Sequence, residues 1–159
     1  MSGALHLLCG KIASGKSTLS ARLAAETGGA VIAEDYWLST LYPGEIADLA
    51  DYRRSSDRLR AAIAPLIAAM VRGGQAVILD FPANTVASRA WMKALADDAG
   101  VTATLHFLDP PDAECRARMH ARNASGEHPY QVDDATFDQF TAHFVAPTDA
   151  EGFAIVRYG

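Results

Sequence analysis

Cysteine, lysine, positive charge and long hydrophobic runs are all scarce in this 159-residue sequence, and each shortage removes a class of function. The two cysteines, Cys9 and Cys115, are too few for a disulfide scaffold and lack CxxC metal spacing, so both are expected as reduced thiols. Fourteen basic residues against nineteen acidic ones give a formal charge of -5. That sign argues against a nucleic acid or an anionic membrane surface as partner. The longest apolar stretch, residues 61–71, is about half a membrane span and contains Pro65, and no basic leader stands at the N-terminus. A cytoplasmic location is the expectation. Lysine is the rarest charged residue: Lys11, Lys16 and Lys93 stand against eleven arginines, and two of the three share one nine-residue stretch.

What is present suits one globular domain over residues 1–159, with 50% hydrophobic and 21% charged residues and no internal repeat. Short apolar runs alternate with longer helical stretches. Strands are expected over 4–9, 30–33, 76–79, 102–108 and 153–158. Helices are expected over 16–27, 45–72 with a bend at Pro65, 86–99, 112–123 and 133–145, with a polar loop over 125–132. Phe137, Phe140 and Phe144 lie at helical spacing and read as core. Strands separated by helices imply parallel pairing and an α/β sheet covered on both faces. Ligands bind such sheets at the carboxyl ends of the strands.

The stretch holding two lysines is the strongest signal. Gly10-Lys11-Ile12-Ala13-Ser14-Gly15-Lys16-Ser17 matches G-x-x-x-x-G-K-[ST] in full, directly after a strand and directly before a helix. Glycine permits the dihedrals and close approach by which backbone N–H groups turn inward around phosphate, and the helix N-terminus adds its dipole. Lys16 is expected to reach the β- and γ-phosphates of ATP, and Ser17 to ligate Mg²⁺.

Three aspartates, Asp35, Asp80 and Asp109, follow strands and so belong to the same sheet edge. Asp80 has the apolar-run-then-Asp form of a Walker B element that holds the Mg²⁺ shell. Asp35 is placed to accept a proton from a substrate hydroxyl, with Glu34 as the alternative base, since a one-residue register change exchanges them. Asp109, before Pro110-Pro111, reads as a turn former. Arg118 and Arg122 share one helix face and can fork onto a transferring phosphoryl group, while Arg116 faces the other way. A lid over residues 112–132 follows from that placement. Arg89 is balanced between a site residue and a surface arginine. His6 reads as a core residue, and the other histidines share no metal-binding spacing.

These segments together resemble the small P-loop kinases of the AAA-type family related to zeta toxin and chloramphenicol phosphotransferase. The resemblance is carried by the loop from Gly10 to Thr18, Asp35-Tyr36-Trp37-Leu38, Leu79-Asp80-Phe81, Arg89, and the Arg-x-x-x-Arg-Asn pattern from Arg118 to Asn123. It implies a three-layer P-loop NTPase fold with strand order 2-3-1-4-5, Asp35 as acceptor base, Arg118 and Arg122 as lid arginines, and residues 147–151 beside the adenine. Phe81-Pro82-Ala83 departs from the family's run after the Walker aspartate, on the acceptor side. The resulting expectation is an ATP- and Mg²⁺-dependent kinase acting on a hydroxyl of a small molecule. Two alternatives stand beside it: a nucleotide-binding switch or slow ATPase acting through a protein partner, and a kinase of nucleic-acid 5'-hydroxyls.

Overall fold

Alternation along β1 (Ala4–Cys9) decides what covers each face of the sheet. Leu5, Leu7 and Cys9 join one buried cluster and Leu8 joins another, the two-residue period of a strand buried on both sides. The computed structural model describes residues 3–126 and 132–158. Within them β2 (Ala30–Ala33), β3 (Ala76–Asp80), β4 (Thr104–Leu108) and β5 (Ala154–Tyr158) join β1 in a parallel sheet of order β2-β3-β1-β4-β5. This is the P-loop NTPase order expected above.

Helix α1 (Lys16–Thr27) lays Leu19 and Leu23 on Leu8, Ile78 and Leu108. On the opposite face, α3 (Leu49–Arg72) presents Leu59, Ile63, Ile67 and Val71, spaced four apart on one stripe, to Leu5, Leu7, Val77 and Leu79. Each such side chain, fully buried, contributes about 1.5–3 kcal/mol. Helix α4 (Val86–Ala99) adds Met92, Leu95 and Ala96 to the same core. No helix among the described residues is long and apolar enough to cross a membrane.

Several boundaries differ from the expectation. The helix expected from residue 45 starts at Leu49, because the Asp48 side chain caps it by accepting from the Asp51 N–H at 2.8 Å. It continues through Pro65, which is exposed. A separate helix, α2 (Glu34–Leu41), follows β2 with no intervening turn. Its N-cap is Ala33, which offers no side-chain cap, so the acidic pair Glu34-Asp35 in the first turn is the start signal that remains in the sequence. Helix α5 (Asp112–Ser125) runs two residues past its expected end, and α6 (Asp134–Ala142) is shorter than 133–145. Most of the expected polar loop, residues 127–131, lies outside the described residues. The phenylalanine stripe divides. Phe137 is fully buried with Cys115 and Met119, Phe144 stacks on Phe107, and Phe140 turns its edge to Tyr52 beside a cleft.

Arg89 is neither a surface nor a cleft residue. Its side chain is 1% exposed and donates from Nε to Glu151 at 2.7 Å, and from Nη1 to the carbonyls of Ala83 at 2.9 Å and Val145 at 2.7 Å. It therefore ties the segment after β3 to the segment before β5, and a single 3-10 turn over Asp149–Glu151 presents the paired carboxylate. Both cysteines are free and buried, and burial pushes the Cys9 thiol up to about 11.

Under α1, three polar side chains from adjacent strands form a chain. His6 Nδ1 lies 2.9 Å from His106 Nε2, and His106 Nδ1 lies 2.8 Å from the Tyr158 hydroxyl. Either tautomer of His106 satisfies the row, with the donors running from Tyr158 through His106 to His6 or in the reverse sense. Burial, helped by His6 and Arg22, lowers the His106 pKa to about 4. The unfolded chain takes up its proton near the ordinary value of about 6.5, so this contribution is full above that pH and is lost as pH falls toward 4. Up to about 3 kcal/mol is at stake for a histidine 4% exposed. Urea unfolding midpoints measured from pH 7.5 to 4.5 are expected to fall, and His106→Gln to flatten the decline. An equal decline in the variant assigns it to other groups.

Candidate functional site

The segment joining β1 to α1 is shaped by its own residues. A Cβ at Gly10 would meet Ser14 Oγ at 2.2 Å and the Leu108 carbonyl oxygen at 3.0 Å, so only glycine fits. Gly15 caps α1 with φ 105, and Ala13 holds φ 61, the one positive φ of a non-glycine residue among those described. Such a conformation costs about 1–2 kcal/mol, strain typical of a functional turn. The Lys16 ammonium closes the loop from within, donating to the Gly10 carbonyl at 2.9 Å and the Lys11 carbonyl at 3.1 Å. From across the sheet edge, Asn84 Oδ1 accepts the Gly10 N–H at 3.0 Å.

A cleft of about 930 Å³ opens over this loop, a size suited to a nucleotide with a second substrate. Of the residues expected in the site, 12–18, Asp35, Asp80, Arg118 and Arg122 all line it. Gly10 and Lys11 do not. The Lys11 side chain turns away to Asp112 at 2.7 Å and lies 5.2 Å from the centre of the Phe144 ring. Residues 147–151 do not line the cleft either, since Pro147 is buried and Glu151 is engaged by Arg89.

Ser17 Oγ donates to Asp80 Oδ2 at 3.1 Å, so the hydroxyl from α1 and the carboxylate from β3 meet at one point. Burial pushes the Asp80 carboxyl above its ordinary range, while Lys16 and the Ser17 hydrogen bond pull it back. One hydroxyl and one carboxylate beside a phosphate loop fit Mg²⁺, which completes its shell from water and phosphate oxygens. No group of three or more His, Cys, Asp or Glu side chains suited to a metal exists among the described residues.

Glu34 and Asp35 both line the cleft, but packing gives them different surroundings. Glu34 is 1% exposed; it accepts hydrogen bonds from the Tyr52 hydroxyl and from Ser56 Oγ at 2.7 Å, and Arg60 Nη2 stands 3.8 Å away. Asp35, one residue on, is only half-buried, and its charge acts on Lys16, Asp80 and Arg122 together. Burial is the main cause of each of those shifts, downward for the two cations and upward for Asp80.

The two arginines of α5 also differ. Arg118 is exposed, donating to the Ser14 carbonyl at 3.3 Å and to Glu114 at 2.5 Å. Arg122 is half-buried, and its enclosed Nε has no hydrogen-bond partner among the described residues. Arg116 faces away, as its spacing requires, pairing with Asp134 at 2.8 Å and Asp138 at 2.5 Å over the Phe137 ring. It fastens α5 to α6.

Asn84, Tyr52 and Phe140 are cleft residues that sequence reasoning missed. Asn84 had a usable signal, since it stands just beyond the carboxyl end of β3. Tyr52 and Phe140 had none, because each is brought to the cleft by helix packing.

The AAA_33 family, described as an AAA domain, matches residues 5–147 of this chain. Among curated proteins none matches significantly. Solved structures match throughout. A candidate kinase from Chloroflexus aurantiacus has TM-score 0.79 and 21% identity over 99% of this chain and 88% of that one. Kti12 of Chaetomium thermophilum, in complex with ADP-AlF3, has TM-score 0.74 and 14% identity over 97% and 88%. A gluconokinase from Sinorhizobium meliloti has TM-score 0.63 and 17% identity over 98% and 82%.

Proposed function

Because the chain belongs to the AAA_33 family of AAA domains, we propose that it is an ATP- and Mg²⁺-dependent kinase transferring the γ-phosphoryl group to a hydroxyl of a small molecule. The observation that carries this reading is the gathering of the phosphate loop, the Ser17–Asp80 pair, Asp35 and Arg122 around one cleft. The likeness to a gluconokinase supports a small-molecule acceptor by analogy of fold.

The roles follow from surroundings. Backbone N–H groups of residues 12–18 and the Lys16 ammonium hold the triphosphate, and Lys16 leaves its two loop carbonyls to do so. Ser17 and Asp80 would hold Mg²⁺, which when bound neutralises developing charge on the β- and γ-oxygens. Asp35 takes the proton of the acceptor hydroxyl as its oxygen bonds to the γ-phosphorus and the bond to the β–γ bridging oxygen breaks, releasing ADP. Glu34 is a poorer base, because two hydroxyl donors already occupy its carboxylate. Arg122, with an unspent buried donor, meets the transferring group, and Arg118 closes over the loop from α5, the lid.

The test is the fate of labelled γ-phosphate in the presence of Mg²⁺ and a panel of hydroxyl compounds. Label is expected in an acceptor ester. Label released only as inorganic phosphate would transfer the assignment to a nucleotide-operated switch or slow ATPase, and label on an RNA 5'-end would make the acceptor a nucleic acid.

A further inference from the structure

A second cavity, of about 640 Å³, adjoins the cleft and shares Tyr52, Asn84 and Phe140 with it. Arg60 is among its lining residues. Arg60 lies 5.1 Å from the centre of the Trp91 ring and 5.8 Å from that of Phe81, with the two rings themselves 5.9 Å apart. Aromatic faces on that scale hold an arginine fork flat and lower its hydration, which readies it for a planar or tetrahedral anion.

The donors of this fork are largely unspent. Nη1 donates to Ser88 Oγ at 3.2 Å, whereas Nη2 stands 3.8 Å from Glu34, beyond hydrogen-bond range, and Nε is enclosed with no partner among the described residues. Its neighbour of opposite charge is Glu34, at 3.8 Å, whose own hydrogen bonds come from Tyr52 and Ser56, so Nη2 makes no hydrogen bond to that carboxylate. Seven residues, about two turns, earlier on α3, Arg53 also lines the cavity, is exposed, and makes no hydrogen bond or ion pair with any described residue. Asp57 is the one carboxylate among the described lining residues, against Arg53 and Arg60, with Glu34 of the adjoining cleft 3.8 Å from Arg60.

We propose that this cavity is the acceptor pocket of the kinase described above, and that its substrate is a small hydroxylated organic anion. Arg60 and Arg53 hold the carboxylate or phosphate of that substrate. Its hydroxyl reaches past Tyr52 to Asp35, in the part of the cleft next to the phosphate loop. The pocket's apolar walls, Trp91 and Phe140, cover the carbon skeleton between the two ends. The anion is what selects the acceptor, because a neutral polyol can accept from the arginines but offers neither an opposing charge nor the paired oxygens that match a guanidinium fork. This inference rests on the kinase reading.

The experiment separates the two. Full-length protein saturated with AMPPNP and Mg²⁺, so that the phosphate loop is occupied, is titrated calorimetrically at constant ionic strength with matched pairs: glycerate and glycerol, tartrate and threitol, glucose 6-phosphate and glucose. At least one anion is expected to bind tenfold or more tightly than its neutral partner, and Arg53→Gln and Arg60→Gln each to remove that advantage. AMPPNP binding on the same variants reports whether the fold and the nucleotide site are intact. Equal or undetectable binding within every pair overturns the anion pocket while the nucleotide site stands. Anion binding that survives both substitutions overturns it equally. Failure of AMPPNP to bind wild-type protein is a different result, which removes the kinase reading itself.

Discussion

Replacing Lys16 by alanine is expected to reduce phosphoryl transfer about 10²- to 10³-fold, the scale of removing one preorganised donor from a developing negative charge. The ammonium now rests on the Gly10 and Lys11 carbonyls, at 2.9 and 3.1 Å, and burial lowers its pKa while Asp80 and Asp35 raise it. Its removal therefore also strips two carbonyls of their donor and leaves the neighbouring carboxylates less compensated. Nucleotide affinity is expected to fall along with turnover, which calorimetry with AMPPNP and a coupled ADP assay will show. Lys16→Arg is expected to rescue little, since the guanidinium is planar and longer and cannot sit between those carbonyls. A variant that keeps both affinity and turnover would exclude Lys16 from the phosphate site.

Asp35→Asn is expected to lower transfer about 10²- to 10⁴-fold, the range for loss of a positioned general base. It should leave AMPPNP binding nearly as it was. The separation matters more than the size. Asp35 lines the cleft without belonging to the loop, so its loss removes proton abstraction and leaves the backbone donors of residues 12–18 in place. Glu34→Gln supplies the contrast. It disturbs the buried bonds to Tyr52 and Ser56 and the nearby Arg60, so its main effect is expected on unfolding stability. If Glu34→Gln abolishes transfer in a stable protein while Asp35→Asn does not, the two roles must be exchanged.

The phosphate loop was legible in the sequence because its determinants are local: glycine where a Cβ would strike Ser14, glycine again at φ 105, and a lysine one residue into the helix. The sheet order needed more than periodicity. Alternating strands and helices required a parallel sheet, but only the family resemblance supplied the order 2-3-1-4-5. Tertiary packing decided what the sequence left open. Glu34 and Asp35 are distinguished by Tyr52 and Ser56, which arrive from 18 and 22 residues away. Helix α2 is weakly marked locally because Ala33 cannot cap it, and it is held by burial of Glu34 and Leu38. Phe140 carries the spacing of a core residue, yet α6 ends close enough to α3 that it faces Tyr52 and the cleft instead. Arg89 presents the same lesson for charge: next to a site in sequence, it is spent on tying the segment after β3 to the segment before β5.

Asn84 joins two of these features. Its side chain holds the Gly10 N–H, and its carbonyl accepts the Val145 N–H at 2.8 Å, while Arg89 grips the carbonyls of Ala83 and Val145 on either side. The first residue of the phosphate loop and the strap leading into β5 therefore hang from the same short segment. Local opening of one is expected to loosen the other, so the amides of Gly10 and Val145, 135 positions apart in sequence, are expected to exchange with solvent hydrogen as one cooperative unit. Similar protection of these two amides is the expected signature of that shared anchor.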